Sequence, residues 1–389
     1  MTPGGKSLKL ARRLKGATKY AILDAVSPIV AVLFAMAVAS IALVIIGKNP
    51  FQVYATMVSF SFGRADSVAS IFFKATPLIF SGLAVAVGFR VGLFNIGVEG
   101  QYLMGAFLAS WAGFAIKGLP GYVHLPLVIL AGALGGALWA FVPIWLKVKR
   151  GVHEVITTIM LNHTAFLLLH YLIFDVFMDK SQVVVGGAGS PRVRMPPIEL
   201  SARVPNLHDA LAVFGINLPA HAAVNWLLIG GIALAVGVWY LLWRTPFGLE
   251  LRTVGHNPRA AETAGIRPQV VYFKAFLLSG AVAGLVGLSD LLGYFGYLDI
   301  DFPRGYGFAG IAVALVGRNS PFGIILAALL FGFLSRGGLG IQVLERVPME
   351  TYVILQGLII LSIVVASEVV RRYVRAQQKK EEAAAHAEP

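Results

Sequence analysis

Residues 122–146 read YVHLPLVILAGALGGALWAFVPIWL, a run without aspartate, glutamate, lysine or arginine. About 20 mostly apolar residues in a helix cross a hydrocarbon layer of roughly 30 Å, so this run can span a bilayer. Nine further apolar runs lie at 22–47, 68–89, 94–116, 152–178, 224–243, 271–298, 305–317, 321–340 and 349–370. The pattern predicts an all-α integral membrane protein of about ten transmembrane helices. The run at 305–317 is short and glycine-rich, which is typical of part of a broken helix.

The composition favours the same class of protein. Of 389 residues, 57% are hydrophobic and 13% are charged, and the mean hydropathy is +0.77. Soluble domains carry roughly 25% charged residues, so this chain lacks the polar groups needed to cover its surface in water. The 43 glycines fit a membrane bundle, because small residues let helices approach closely. The absence of cysteine excludes disulfides, thiolate catalysis and thiolate metal sites.

The net charge of +13 is compatible with nucleic-acid binding, but its distribution favours a membrane protein. Basic residues lie between and beside the apolar runs, and most of them fall on one side if the spans alternate from a cytoplasmic N-terminus. We therefore expect no nucleic-acid partner and both termini in the cytoplasm. The expected organisation is a basic segment at 1–21, a transmembrane domain at 22–370 with an extracytoplasmic loop at 179–222, and a polar tail at 371–389.

One connection between two apolar runs carries its own helix signals. Residues 244–268 read RTPFGLELRTVGHNPRAAETAGIRP. Asn257 is a good N-cap, Pro258 suits the first helical position, and Gly265 suits the position just after a helix. The spacing predicts a short helix over 258–264, on the cytoplasmic side if the termini are cytoplasmic.

Three segments resemble ABC importer permeases of the branched-chain amino acid, ribose and nucleoside branch. In that branch, a Gly-x-Asn-x-x-Ala-Ala pattern followed by Gly-Ile forms a cytoplasmic coupling helix between spans. The matching residues here are Gly255, Asn257, Ala260, Ala261, Gly265 and Ile266. Residues 92–106 (GLFNIGVEGQYLMGA) and 151–163 (GVHEVITTIMLNH) resemble the nucleoside and simple-sugar members of the branch.

The resemblance implies a permease subunit in the bacterial cytoplasmic (inner) membrane that imports nucleosides or related sugars. It also implies three partners: a cytoplasmic ABC ATPase, a second permease subunit (a related chain or a second copy) and an extracytoplasmic solute-binding protein. The chain has no G-x-x-x-x-G-K-[ST] phosphate loop, so ATP and Mg²⁺ are expected in the ATPase and no cofactor in this chain. We expect a transport subunit and not an enzyme. From the residues alone, the short helix is equally compatible with an amphipathic helix lying on lipid headgroups.

Polar residues inside apolar runs are costly and therefore mark candidate functional positions. The candidates for the substrate pathway are Asn95, Glu99, Gln101, Thr158 and Asn162. The alternative is a structural role, with hydrogen bonds between helices or a pair between Glu99 and Arg90.

A different class of function remains open at this point, an ion-coupled secondary transporter of a small polar solute. Its coupling groups would be Glu99, Glu154 and Asp290. Metal binding is not expected, because His153 and His163 lie too far apart to form an i, i+4 pair.

Overall fold

The structure is a computed structural model that describes residues 30–180, 193–213, 215, 218–219 and 222–387. Within these ranges the chain is helical, and its β-structure consists of two isolated bridges, Arg194 with Asp299 and Asn206 with Asn225. The predicted all-α class is therefore confirmed.

The helices follow the apolar runs of the sequence closely. The N-terminal half contains α1 Val30–Ile45, α2 Pro50–Phe62, α3 Ala65–Arg90, α4 Val98–Ala115, α5 Gly121–Arg150, α6 Glu154–Val176 and α7 His208–Val213. The C-terminal half contains α8 Leu227–Arg244, α9 Pro246–His256, α10 Pro258–Thr263, α11 Pro268–Phe295, α12 Tyr306–Val316, α13 Pro321–Leu344 and α14 Met349–Ala387. Both α6 and α11 end in a π-helical segment, Leu172–Val176 and Leu291–Phe295 respectively.

Seven described helices are long and apolar enough to cross a membrane: α3, α5, α6, α8, α11, α13 and the Glu350–Val370 part of α14. The pair α1 and α2 would add an eighth span, and it is bent by 116° at its break. The runs at 94–116 and 305–317 also form helices, but with different properties. Helix α12 has only 11 residues, and α4 has 18 residues that include the polar Glu99 and Gln101.

Residues 58–337 form one compact unit, and α3 is the most buried of the described helices that can span a membrane. The most extensive helix contacts in this unit join α4 to α5, α11 to α5, and α12 to α3. Most side chains of α3 are buried by protein, whereas most side chains of α6 are half-buried or exposed, as expected of a helix that faces lipid. The unit therefore has an inner set of helices and an outer set.

The contact between α5 and α11 depends on glycine at both surfaces. A Cβ atom at Gly136 would lie 2.2 Å from the carbonyl oxygen of Gly280, and one at Gly284 would lie 2.1 Å from the carbonyl oxygen of Gly132. Real side chains do not fit at such distances, so the two backbones touch directly. Close backbone approach through small residues is the usual way in which membrane helices associate.

The second unit contains the residues through Met57 and those from Gly338 onward. Within it, Glu345 follows the end of α13 and is hydrogen bonded to α2 and to the turn before α2. The Lys48 ammonium donates to the Glu345 carbonyl oxygen at 2.5 Å, and the Thr56 hydroxyl donates to its carboxylate at 2.8 Å. These bonds fasten α2 and the preceding turn to the end of α13.

The described part of the predicted 179–222 loop is ordered and packs on the end of α11. Backbone N–H groups of Met195, Ile198 and Val204 donate to the carbonyl oxygens of Leu298, Gly296 and Leu292, at 2.8, 2.9 and 3.2 Å. The segment also forms a short 3-10 turn, Leu200–Ala202, and α7. Its location outside the cytoplasm stays a prediction.

Candidate functional site

The first polar cluster lies where α3 turns into α4. Asn95 in this turn and Gln101 in the first turns of α4 exchange two side-chain hydrogen bonds, 2.9 and 3.0 Å long. Asn95 also donates to the Ser279 hydroxyl at 2.9 Å and accepts from the Gly97 N–H at 3.0 Å. These four bonds satisfy the two donor hydrogens and the acceptor oxygen of Asn95, so its amide is fully engaged by protein.

Asn162 of α6 caps the start of α4 from a neighbouring helix. Its side-chain oxygen accepts from the Gly100 N–H at 2.8 Å, and its nitrogen donates to the Ile96 carbonyl at 3.0 Å. The first N–H groups of a helix lack partners within the helix, so a buried start such as this one needs an external acceptor. Thr158 lies one turn away, and its hydroxyl donates to the carbonyl of Glu154 in its own helix at 2.8 Å.

Glu99 joins the start of α4 to the start of α12. Its two carboxylate oxygens accept from the backbone N–H groups of Gly305 and Gly307, at 2.6 and 2.8 Å. A carboxylate at the start of a helix is stabilised by the free N–H groups and by the helix dipole. Tyr102, one turn further along α4, donates to the Pro303 carbonyl at 2.5 Å. This bond also joins α4 to the segment just before α12.

All five candidate pathway residues are therefore buried and close to the start of α4. Asn95, Gln101, Asn162 and Glu99 bind backbone or side-chain groups at breaks between helices, and Thr158 packs beside them. This arrangement gives them a structural function in the described conformation. A direct contact with solute stays a prediction.

Glu154 and Arg90 each have a partner that the sequence did not suggest. The Lys147 ammonium lies 2.5 Å from the Glu154 carboxylate, so an ion pair joins the end of α5 to the start of α6. The anticipated pair between Glu99 and Arg90 does not form. Arg90 instead donates to the Asn319 carbonyl oxygen at 2.8 Å.

Asp290 in α11 is 2% exposed, and the Tyr306 hydroxyl is hydrogen bonded to it. One carboxylate oxygen, Oδ2, has no hydrogen-bond partner among the described residues. The π-helical segment of α11 begins at the next residue, and Asn225 supports it by donating to the Ser289 carbonyl oxygen at 3.2 Å. Sequence reasoning missed Asn225 because it lies outside the motifs and is 64 residues from its partner.

The second candidate site is the segment between α8 and α11, which we call the connector (residues 245–266). Thr245 caps α9 by accepting from the Gly248 N–H at 3.1 Å, and a Cβ atom at Gly248 would lie 2.1 Å from the Leu241 carbonyl oxygen. The chain therefore reverses sharply between α8 and α9. Helix α9 ends at His256, and α10 begins only two residues later.

Both ends of α10 have the predicted caps. The Asn257 side-chain oxygen accepts from the N–H groups of Arg259 and Ala260, at 3.1 and 3.2 Å. At the other end, the Gly265 N–H donates to the Glu262 carbonyl and the Ile266 N–H donates to the Ala261 carbonyl, each at 3.0 Å. These two bonds form a Schellman motif, and Gly265 takes the left-handed conformation that this motif requires, with φ +80°.

The two alanines at the centre of the motif differ in their surroundings. Ala261 is fully buried and Ala260 is exposed, as are Asn257 and Gly265. Gly255 packs tightly, because a Cβ atom there would lie 2.0 Å from the carbonyl oxygen of Arg90. In the connector, α10 is therefore a capped helix with an exposed face, and α9 packs on the end of α3 through Gly255.

No group of three or more histidines, aspartates or glutamates that could hold a metal ion occurs in the part of the chain that the structure describes.

Comparison with known proteins assigns the chain to a family. The model of the branched-chain amino acid transport system permease component matches residues 67–364. The guanosine ABC transporter permease protein NupP of Bacillus subtilis is 37% identical over 354 residues, which cover 91% of this chain and 96% of NupP. The glucose ABC transporter permease protein TsgB13 of Haloferax volcanii is 36% identical, covering 89% of this chain and 88% of TsgB13. A second Bacillus subtilis protein, the guanosine ABC transporter permease protein NupQ, is 29% identical and covers 67% of this chain and 77% of NupQ.

The three segments that resemble importer permeases all lie inside the matched range, so the resemblance is confirmed. The chain is a multi-pass protein of the bacterial cytoplasmic (inner) membrane and a transport subunit. By the extent of the family match, it belongs to the permease components of branched-chain amino acid transport systems, within the ABC importers.

Proposed function

We propose that this permease imports nucleosides, or sugars related to them, and that ATP hydrolysis in a partner subunit drives the transport. The observation that carries the substrate class is the 37% identity to a guanosine permease along 91% of this chain. The similar identity to a glucose permease explains why sugars stay within the proposal. Ribose and glucose both present several hydroxyl groups, so one set of polar partners can suit both classes.

The connector is the proposed contact with the ATPase. A short helix that both caps hold rigid, with an exposed outer face, is suited to enter a groove on another protein. Within it, we propose that Gly255, Asn257, Ala260, Ala261 and Gly265 carry the coupling. The exposed Asn257, Ala260 and Gly265 would meet the ATPase. The buried Ala261, and Gly255 through its backbone contact with Arg90, would transmit the movement. ATP and Mg²⁺ would bind to that partner, and both termini of this chain would lie on the same, cytoplasmic side.

We further propose that Asn95, Glu99, Gln101, Thr158 and Asn162 border the solute pathway. Broken helices in transporters commonly surround the bound substrate, because the break presents backbone groups that a continuous helix hides. The polar cluster lies at two such breaks, the starts of α4 and α12. When these helices move, the hydrogen bonds of the cluster can be exchanged for bonds to a neutral polar solute.

The remaining proposed partners are a second permease and an extracytoplasmic solute-binding protein. Bacillus subtilis has two guanosine permease proteins similar to this chain, and this supports a second, related subunit over a second copy.

The test is reconstitution of this chain in proteoliposomes with the ATPase, second permease and binding protein from neighbouring reading frames. Radiolabelled guanosine, uridine and glucose are offered on the side of the binding protein. We expect accumulation of a nucleoside that requires ATP and every subunit. Accumulation of glucose alone would reject nucleosides and leave the sugars as the substrate class. Uptake by this chain alone under a proton or sodium gradient would contradict the importer and establish a secondary transporter.

A further inference from the structure

The end of α3 is a junction at which four segments of the protein meet on one residue. Arg90 contacts Trp243 of α8, Gly255 of α9 and Asn319 in the turn between α12 and α13. We call these four residues the Arg90 junction. All of them lie within the unit formed by residues 58–337.

The backbone of Arg90 supports the connector. Because a Cβ atom at Gly255 would lie only 2.0 Å from the Arg90 carbonyl oxygen, the backbone of α9 rests on the end of α3 with no side chain between them. Helix α10 packs on α9 and follows it after a single residue, Asn257. Direct contacts therefore join α10, through α9, to the end of α3.

The side chain of Arg90 extends the contact to two further segments. Its guanidinium carbon lies 4.7 Å from the ring centre of Trp243, a cation–π distance, and its terminal nitrogen donates to the Asn319 carbonyl oxygen at 2.8 Å. Arg318 and Asn319 both have left-handed backbones, with φ of 55° and 52°. Two consecutive non-glycine residues in this region are unfavourable, so the bond from Arg90 stabilises the turn together with the turn's own backbone hydrogen bonds.

The junction also contains polar atoms that are not satisfied in this conformation. The Nε of Arg90 and the Oδ1 of Asn319 are both buried and lack a hydrogen-bond partner among the described residues. One is a donor and the other an acceptor, on side chains that already meet at one hydrogen bond. An unpaired buried group disfavours the conformation that contains it, so a shift that pairs these atoms would be favoured. A movement of the junction that brings the two atoms together would therefore recover one hydrogen bond.

We propose that Arg90 is a positioning residue that transmits movement of the connector to α3 and to the turn between α12 and α13. The inference rests on the proposed function, because the connector is taken as the contact with the ATPase. Helices α3 and α12 also hold the polar cluster, since Glu99 caps α12 and Ser279 donates to the Ala84 carbonyl of α3 at 2.7 Å. Arg90 thus connects the connector to the helix breaks.

The test compares Arg90→Lys with Arg244→Lys in the reconstituted complex. Arg244 also lies over a tryptophan, 5.8 Å from the ring centre of Trp239, and this ring is not part of the Arg90 junction. Two rates are measured, ATP hydrolysis and accumulation of whichever panel solute the unsubstituted complex transports. For Arg90→Lys we expect hydrolysis within about twofold of the unsubstituted complex and at least a fivefold fall in solute accumulated per ATP. For Arg244→Lys we expect no change in that ratio.

An unchanged ratio for Arg90→Lys overturns the inference, and so does an equal fall for both variants. A parallel loss of hydrolysis and transport, with the ratio preserved, would show a purely structural residue and would also overturn it. If the complex with Arg90→Lys does not assemble, the same two rates are measured for Trp243→Leu. This substitution removes the aromatic ring under Arg90 and leaves the Arg90 side chain in place. We then expect a ratio reduced by about twofold, and an unchanged ratio rejects the proposal. Failure of the unsubstituted complex to transport any panel solute contradicts the proposed function instead.

Discussion

Asn257 makes both side-chain hydrogen bonds at the start of α10. Replacing an asparagine N-cap by alanine costs about 1 kcal/mol, since N–H groups of the first turn lose their acceptor. In Asn257→Ala we expect amide hydrogens of α10 to exchange about fivefold faster, which corresponds to that loss of local stability. Hydrogen–deuterium exchange of the purified permease measures this. Asn257→Asp keeps an acceptor oxygen and should exchange at the original rate, and equal rates in all three proteins would contradict the capping argument.

Glu99 fastens α12 to α4 through two charge-assisted hydrogen bonds. Glu99→Gln keeps one acceptor oxygen but removes the charge and the second acceptor. Because bonds to charged groups contribute about 1.5–3 kcal/mol each, we expect a lower free energy of unfolding and a lower thermal midpoint in detergent. Asp301→Asn removes an exposed carboxylate that lies outside the helices and should leave the midpoint unchanged. A midpoint equally unaffected in Glu99→Gln would rule out a capping function for Glu99.

These residues also show where sequence reasoning succeeds and where it stops. The caps of α10 were predictable, because Asn257, Pro258 and Gly265 act on backbone groups within a few residues of themselves. The partners of Asn95 and Glu99 were not, because Ser279 lies 184 residues away and Gly305 lies 206 residues away. The types of residue indicated buried polar positions. Only the packing of the helices determines which groups they bind.

Among the helices, the contact between α5 and α11 is the one most sensitive to an added side chain. A methyl group at Gly136 would lie 2.2 Å from the Gly280 carbonyl oxygen, so the two backbones must separate to accept it. Overpacking of this kind typically costs about 1–3 kcal/mol, and we expect more here because backbone atoms must move. Gly136→Ala should therefore yield less monodisperse permease after solubilisation than the unsubstituted protein, as measured by size-exclusion chromatography.

The matched control for this change is Gly237→Ala. Gly237 is also a glycine inside a membrane-spanning helix, α8, but no atom lies within 4 Å of the position that its Cβ would take. The substitution should be neutral or slightly stabilising, since alanine favours the helix over glycine by about 0.5–1 kcal/mol. Equal yields for the two variants would show that α5 and α11 are further apart than the structure places them.

The helices themselves were largely predictable, because a run of about 20 apolar residues has few alternatives to a membrane helix. In the described part of the chain each of the ten runs contains a helix, but α4 and α12 are too polar or too short to resemble the others. Their place is set by contacts that distant residues supply, above all the caps from Asn162 and Glu99. Hydropathy alone therefore finds these helices without explaining what keeps their ends buried.

At the scale of the whole complex, the exposure of Ala260 makes the proposed docking testable without damage to the permease itself. Ala261 is fully buried, so a large residue there would disturb the connector and leave the result ambiguous. Ala260 faces outward, and Ala260→Trp adds bulk only where a partner would approach. We expect normal membrane insertion, an unchanged thermal midpoint of the isolated permease, and at least a tenfold loss of ATP-dependent uptake.

Co-purification with the ATPase distinguishes the reason for such a loss. Ala260→Ser keeps the small volume and should retain both ATPase binding and uptake, whereas Ala260→Trp should lose the ATPase from the purified complex. If Ala260→Trp retained the ATPase and transported normally, α10 would not be the docking helix. The amphipathic helix on lipid headgroups would then be the better description, because an aromatic side chain at the membrane interface is tolerated there.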